Sequence, residues 1–492
     1  MIRTPPPDAT FLGLDLGTSG LRGLLTASDG TALATAEAGY NVARPAQGWS
    51  EQDPTDWITA MQAVAQDLRA QAPDAWARVA GLGVAGHMHG AILLDKEGAV
   101  LRPCILWNDT RSHAQAARLD ATPKVRALSG NIVFPGFTAP KLLWVAEHEP
   151  DIFARTARVV LPAAFLNHWL TGVAVGDLSD AAGTSWLDVA ARDWSETLLE
   201  HGGMSRAQMP RLVEGSAPAA SLRADLAHAW GLSGDVVVAG GAGDNAAAAC
   251  GVGALSEGQG FVSLGTSGVL LAARDTCAPD PATAVHTFCH AVPNRWYQMG
   301  VILAATDCLN WLARQTGSTP AALSAQLGDE LSAPGDLRFL PYLSGERTPH
   351  NDAAIRGAFL GLDIAHTPTD LTRAVLEGVS FALHDSLSAL RATGARIDRL
   401  IVLGGGSQSD LWVHMLATVL NLPLDLPAQG EFGAAMGAAR LARCAATGAD
   451  PEQVMSPPTI ARTITPCADL VPAFAQARTA WARIYPALKD LA

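Results

Sequence analysis

The chain has 492 residues, of which 49% are hydrophobic, enough to bury at least two sizeable cores. A formal net charge of -13 with no long run of Lys or Arg excludes a nucleic-acid surface, and no uninterrupted apolar segment reaches the roughly 18 to 20 residues that span a bilayer. The 7 Cys are scattered and lack any CxxC pair, which points to reduced thiols in a cytoplasm and to no zinc site.

Met1 to Thr10 is polar and proline-rich and reads as a short frayed tail. Two apolar runs follow, Phe11 to Leu14 and Leu21 to Leu25, separated by Leu16-Gly17-Thr18-Ser19-Gly20. The pattern predicts a glycine-rich hairpin between two strands, whose backbone N–H groups and hydroxyls (Thr18, Ser19) are free to surround a phosphate. The same pentapeptide returns as Leu264-Gly265-Thr266-Ser267-Gly268, again between apolar runs. Two copies in matching contexts predict two related α/β halves facing one nucleotide. Only the first copy brings a carboxylate, since Asp15 stands where the second has Ser263. A nucleotide-bound Mg²⁺ takes one or two protein carboxylates and keeps several waters, which suits Asp15; the alternative is a turn Asp bonding its own backbone.

Between the hairpins, Thr55 to Ala70 has helical spacing of Trp57, Ile58, Met61, Val64 and Leu68, and Val79 to Ala85 is an apolar strand ending in Gly86-His87-Met88-His89-Gly90. Strand ends are where α/β proteins place ligands. Alternation on an extended segment would point His87 and His89 to one side, and hydrogen bonding to a hydroxylated substrate is favoured over a metal because no Cys or carboxylate completes a ligand set. Trp107, Asn108 and Asp109 combine a flat ring with polar tips and suit a sugar; the competing reading is a packed Trp beside a turn.

Val236 to Ala239 is a buried strand that runs through Gly240-Gly241-Ala242-Gly243-Asp244-Asn245 into the small-residue helix Ala246 to Gly251. The domain boundary is therefore expected near residue 250, dividing 10–250 from 251–488. Asp244 is the candidate general base. Glycines before it let a substrate approach the backbone, and phosphoryl transfer needs an acceptor for the attacking hydroxyl's proton. Alone it would serve equally as a helix N-cap; the glycine cluster and the adjacent second hairpin favour catalysis. Leu400 to Leu403 is a late strand leading into Gly404, Gly405, Gly406 and Ser407, a third place where backbone could lie against a ligand. No GxxxxGK[ST] loop exists, and both pentapeptides lead into strands, so a P-loop is excluded.

Two longer motifs, Gly136-Phe137-Thr138-Ala139-Pro140-Lys141-Leu142-Leu143-Trp144-Val145 and Gly357 to Leu362 continuing to Ala374-Val375-Leu376-Glu377, resemble the signatures of the FGGY carbohydrate kinases. Further stretches strengthen the resemblance: Trp49 to Pro54, Ile105 to Asp109, Ser179-Asp180-Ala181-Ala182-Gly183-Thr184 and Tyr342 to His350. The resemblance covers nearly the whole chain. It implies an α/β actin-like ATPase fold of two ribonuclease-H-like domains with an interdomain cleft. The implied activity is ATP-dependent phosphorylation of D-xylulose at O5.

Carried over by position, Asp244 is the base, Met88 and His89 bind sugar, and Asp15 supports Mg-ATP, with Asp15 and Asp244 the carboxylates near Mg²⁺. Asn245 is a sugar contact by adjacency, beside Trp107 and Asn108; Thr18, Ser19, Gly265, Thr266, Ser267 and Gly404 to Ser407 lie along the nucleotide. The expected partner is a small-molecule sugar, with a homodimer as the allowed assembly. Two departures stand out: His87 replaces a common Gln, and Leu161-Pro162-Ala163-Ala164-Phe165 lacks a frequent Lys-Asp. The competing readings are an FGGY kinase for another polyol such as ribulose, kept open by His87, and an actin-like ATP switch without sugar chemistry.

Overall fold

Strand β1 (Thr10–Leu16) turns at Gly17, whose N–H donates to the Gly20 carbonyl at 3.0 Å, and pairs antiparallel with β2 (Gly20–Thr26), so the first pentapeptide is a hairpin. The computed structural model describes residues 5–232, 235–428 and 432–491. The first four residues of the expected frayed tail lie outside the described residues. The end of that tail is fixed: Ala9 is buried and the Thr10 hydroxyl donates to the Ala75 carbonyl at 2.7 Å.

Strand β3 (Ala32–Gly39) extends the sheet beside β2. Helix α1 (Pro54–Gln71) starts on an Asp53 cap that accepts the Thr55 N–H, with Pro54 in the first turn. It buries Trp57, Met61, Val64 and Leu68 on one face, as their spacing predicts. Strand β4 (Val79–Gly86) runs parallel to β1, and helix α2 (Thr138–His148) follows in the long connection beyond it. Strand β5 (Pro218–Ser221) pairs antiparallel with β6 (Val237–Ala239), which is parallel to β4. The two-residue β7 (Ala242–Gly243) pairs with the end of β4 and enters helix α3 (Asp244–Val252). The first sheet therefore has the order β5-β6-β4-β1-β2-β3, with β7 beside β4.

The second half repeats this plan. The second pentapeptide joins β8 (Gly260–Leu264) to β9 (Gly268–Arg274) antiparallel. Strands β10 (His286–Cys289) and β11 (Trp296–Ile302) follow, then helices α4 (Thr306–Thr316) and α5 (Pro368–Ala392). Strand β12 (Leu400–Leu403), helix α6 (Asp410–Leu420), strand β13 (Leu424–Pro427), helix α7 (Gly433–Thr447) and strand β14 (Ile460–Ile464) complete it. The order is β10-β11-β9-β8-β12-β13-β14. Around each hairpin the senses agree: antiparallel strands on one side (β2 and β3 in the first sheet; β9, β11 and β10 in the second), two parallel strands and an antiparallel edge on the other.

Helix α7 comes late in the chain yet packs on the first sheet. A Cβ at Gly13 of β1 would lie 2.0 Å from the Ala435 carbonyl oxygen, and one at Gly83 of β4 would lie 2.2 Å from that of Ala438. On its other side, a Cβ at Gly437 would lie 1.8 Å from the Ala247 carbonyl of α3. These contacts are backbone against backbone, which only glycine permits. Arg440 fixes the pair of helices further by donating to the Cys250 and Gly251 carbonyls at the end of α3.

Candidate active site

Asp15 sits on β1 two residues before the first hairpin turns at Gly17, opposite Arg22 on β2 and Ala85 on β4. Burial pushes its carboxyl up to about 7, the Asp244 charge adds to the rise, and Arg22 opposes it. Arg22 itself reaches out to Glu37 at 3.5 Å on an exposed edge. Within the hairpin, the Trp107 indole N–H donates to Thr18 Oγ1 at 3.0 Å, and the Gln52 amide donates to the Thr18 carbonyl at 2.7 Å. Ser19 is exposed at the tip.

The loop after β4 begins with His87, whose N–H donates to the Leu16 carbonyl at 2.9 Å, tying it to the first hairpin. The two histidines do not face one side. His89 is in the left-handed region at φ 71°, which breaks the alternation that an extended segment would impose. His87 packs edge-on to Trp57 (centroids 5.4 Å apart), and neither ring nitrogen has a partner. His89 stacks on Phe137 at 4.5 Å and 18°. Its carbonyl accepts from Lys141 Nζ at 2.8 Å and from the Thr138 hydroxyl at 3.2 Å, both on α2. Its Nδ1 lies 2.7 Å from the Gly183 carbonyl, which can only accept, so Nδ1 carries the proton. Burial holds the ring neutral, with its pKa down to about 3. Nε2 is then a free acceptor for a hydroxyl.

Asp244 opens α3, with Gly243 as the N-cap residue, so the competing N-cap reading of Asp244 does not hold. Its Oδ1 accepts from the Asn245 backbone N–H at 2.7 Å and from Asn245 Nδ2 at 2.9 Å, which leaves Oδ2 for a substrate proton. Desolvation raises its carboxyl to about 6, and the Asn245 hydrogen bonds oppose the rise. It remains largely ionised at neutral pH.

A cavity of about 250 Å³ gathers Met88, His89, Trp107, Asp244 and Asn245 from the first half with Ser267 from the second hairpin. Asn108 is not among its walls. The chain turns at Trp107, and Asn108 faces a separate pocket beside Arg44 and Trp49, with its Oδ1 buried and unpartnered. Asp109, next along, forms an ion pair with Arg111 at 2.7 Å and accepts the Ser50 N–H, a buried structural set.

The second hairpin is buttressed from behind. The Gly265 carbonyl accepts from the Thr306 N–H and hydroxyl, and the Thr266 carbonyl accepts from the Ala305 N–H, at the start of α4. Gly404 at the end of β12 has φ +85°, and a Cβ there would lie 2.8 Å from the Leu264 carbonyl oxygen, so the triple-glycine loop lies against this hairpin. A Cβ at Gly405 would meet nothing within 4 Å, and the Ser407 hydroxyl turns back to the Gly404 carbonyl at 2.7 Å.

Nine wall residues escaped the residue-by-residue reading, among them Phe137, Arg347, His286 and Phe288. Phe137 and Arg347 lie within the motifs at 136–145 and 342–350, which could have signalled them. His286 and Phe288 alternate on β10 and reach the cavity from the second half with no comparable signal. Among the described residues no group of three or more His, Cys, Asp or Glu side chains could hold a metal by itself. No helix among them is long and apolar enough to cross a membrane.

Residues 10–251 match the N-terminal domain model of the FGGY family of carbohydrate kinases, and residues 260–446 match its C-terminal domain model. The chain belongs to this family, whose actin-like ATPase fold the paired sheets reproduce. It is 47% identical over 440 residues to the xylulose kinase of Escherichia coli, covering 89% of this chain and 90% of the relative. It is 45% identical over 486 residues to the xylulose kinase of Klebsiella pneumoniae, covering 98% and 99%. Among solved structures, a "xyloylose kinase" from Brucella ovis is 55% identical with a TM-score of 0.97, covering 98% of this chain and 100% of that one.

Proposed function

We propose that this protein transfers the γ-phosphoryl group of ATP to O5 of D-xylulose, giving D-xylulose 5-phosphate. The observation that carries the reading is the shared cavity, in which the Asp244 carboxylate, neutral His89 and Ser267 of the second hairpin face one space. Asp244 Oδ2 accepts the attacking hydroxyl's proton as the bond to phosphorus forms. His89 Nε2 accepts a hydrogen bond from another sugar hydroxyl, and Trp107 and Phe137 supply apolar walls for the carbon chain. The nucleotide lies between the hairpins, along Thr18, Ser19, Gly265, Thr266, Ser267 and Gly404 to Ser407. On this reading residues 10–250 carry the sugar and residues 251–488 the nucleotide.

Asp15 and Asp244 fit a Mg²⁺ ion. The Asp244 charge adds to the cost of ionising Asp15 in a poorly solvated site, and a divalent cation near both would offset that repulsion. When bound it supplies neutralisation of the phosphate oxygens. The acidic composition and free thiols suit a cytoplasmic enzyme. The ribulose alternative rested on His87, and that side chain packs on Trp57 away from the cavity walls, which favours xylulose. A coupled ADP-release assay over D-xylulose, D-ribulose, L-ribulose, L-xylulose and glycerol tests the choice. The expected result is the highest kcat/KM with D-xylulose; a higher value with another sugar overturns it, and sugar-independent ATP hydrolysis at the full rate overturns the kinase reading.

A further inference from the structure

Behind the cavity, one buried turn touches both the loop of the base and the loop of the sugar-binding residues. The Asp177 carboxylate starts it, its Oδ1 accepting the Ser179 N–H at 2.8 Å, the Asp180 N–H at 3.1 Å and the Ser179 hydroxyl at 2.5 Å. That hydroxyl is also an acceptor, receiving the Gly243 N–H at 3.1 Å. Gly243 is the residue immediately before Asp244, and Ser179 is fully buried. The other end of the turn meets the sugar loop, where the Gly183 carbonyl accepts from His89 Nδ1 at 2.7 Å.

The fit there is close. A Cβ at Gly183 would lie 2.5 Å from His89 Cε1 and 3.0 Å from Met88 Cε, and one at Gly243 would lie 2.8 Å from Met88 Cγ. Met88 is thus held between the two glycines. Tyr297 from the second sheet adds a hydroxyl 3.7 Å from its sulfur.

We propose that residues 177–184 are the positioning element of the transfer site: Ser179 sets the backbone that aims Asp244, and Gly183 sets His89 and Met88 against the sugar. The inference rests on the function proposed above. Neither residue touches the reacting atoms. The relay from Asp177 through Ser179 to Gly243 fixes the peptide that carries the base, while Gly183 leaves room for the imidazole and fixes its tautomer. Because one turn does both, the distance between base and sugar is set by a single rigid piece. Misplacement of a catalytic group by about 1 Å costs on the order of 100-fold.

Ser179→Ala removes one oxygen and Gly183→Ala adds one carbon, and the two should separate kinetically. Ser179→Ala is expected to lower kcat about 10- to 100-fold with the KM values for D-xylulose and MgATP within about twofold of wild type. Gly183→Ala is expected to raise the D-xylulose KM about tenfold or more with the MgATP KM unchanged. ADP binding by calorimetry reports the folded fraction of each variant. Loss of ADP binding in step with activity overturns the inference, because the role is then structural. So do kcat and KM values within twofold of wild type in both variants, or the same pattern of change in both. Wild-type turnover of D-xylulose is the control: its absence overturns the proposed function and this inference together, whereas an active wild type with unchanged variants overturns the inference alone.

Discussion

Replacing Asp244 with Asn should move activity and stability in opposite directions. The carboxylate is raised from an ordinary 3.8 to about 6, chiefly by desolvation, so its ionised form is held at a cost in the folded protein. About two pKa units at 1.36 kcal/mol each set an upper figure of about 3 kcal/mol, and its partial exposure reduces this to about 1 to 3 kcal/mol. The sign follows from linkage. A carboxyl with a raised folded-state pKa contributes stability below the unfolded value, and that contribution is lost as pH rises through about 6.

The amide introduced by Asp244→Asn would keep an oxygen for the two Asn245 hydrogen bonds and carry no charge, so the substitution should raise the Tm at pH 8 by at least about 2 °C. Below pH 5 the wild-type carboxyl is protonated, and the difference should shrink. The same substitution removes the proton acceptor and should lower kcat about 10²- to 10⁴-fold. Thermal unfolding at pH 5 and pH 8, beside the coupled ADP assay, reads both effects. A kcat within tenfold of wild type refutes the base assignment, and a lowered Tm at pH 8 refutes the desolvation argument.

The other substitutions probe different parts of the cleft. Asp15→Asn should raise the MgATP KM and lower kcat while leaving the sugar's Kd near wild type, as titration of sugar without nucleotide will show; a selective loss of sugar affinity would assign Asp15 to the wrong ligand. His89→Ala should raise the D-xylulose KM by the cost of an unpaired buried hydroxyl, about 1 to 3 kcal/mol, and unchanged sugar kinetics would remove His89 from the contact set. The wild-type pH profile of kcat/KM for sugar should fall tenfold per unit below about 6, where Asp244 takes up a proton, and a flat profile down to pH 5 contradicts that. Gly437→Ala should destabilise by about 1 to 3 kcal/mol or more, because its Cβ would meet the Ala247 carbonyl at 1.8 Å; an unchanged Tm would mean that α3 and α7 can separate freely.

The hairpins were legible because a repeated pentapeptide between apolar runs has few other readings, and helix α1 because Trp57, Met61, Val64 and Leu68 keep a helical period. Asp244 was legible as a residue between glycines and a helix. The orientation of the two histidines was not, since one residue at positive φ reverses what alternation predicts and nothing local in Gly86 to Gly90 marks which residue takes it. Nor did composition reveal where α7 would pack. Its run of Ala and Gly is ordinary helix material in one dimension, and its meaning comes from Gly13 and Gly83, far upstream in the chain, whose missing side chains make the matching groove. His286 and Phe288 show the same limit: a cavity wall built from the opposite half is a product of tertiary packing, and strand alternation alone says only that they share a face.

The pairing of the two sheets explains why these particular loops converge. With β1 matched to β8 and β4 to β12, the two hairpins occupy equivalent positions, and so do the loops that leave β4 and β12. The first of those loops carries Met88 and His89; the second carries Gly404 to Gly406. Likewise α3, which begins at Asp244, corresponds to α7, and the two equivalent helices pack directly on each other through Gly251 and Gly437. A site with different chemistry on its two sides thus arises from one architecture used twice, by changing what sits at matched strand ends. On the proposed function, the half with a carboxylate at its hairpin, a histidine loop and an acidic helix start is the one that takes the metal-linked phosphate and the sugar. The half with Ser263, a bare glycine loop and Gly433 in those places offers backbone N–H groups and hydroxyls there, which suits phosphate oxygens on the nucleotide side of the proposed transfer. The long connection from β4 to β5, which has no counterpart of similar length between β12 and β13, then supplies the buried turn that fixes base and sugar loop relative to each other. Phosphoryl transfer depends on in-line placement more than on covalent help from the protein, so with the sugar on the first half, as proposed, the insertion lies in the half where such a brace acts.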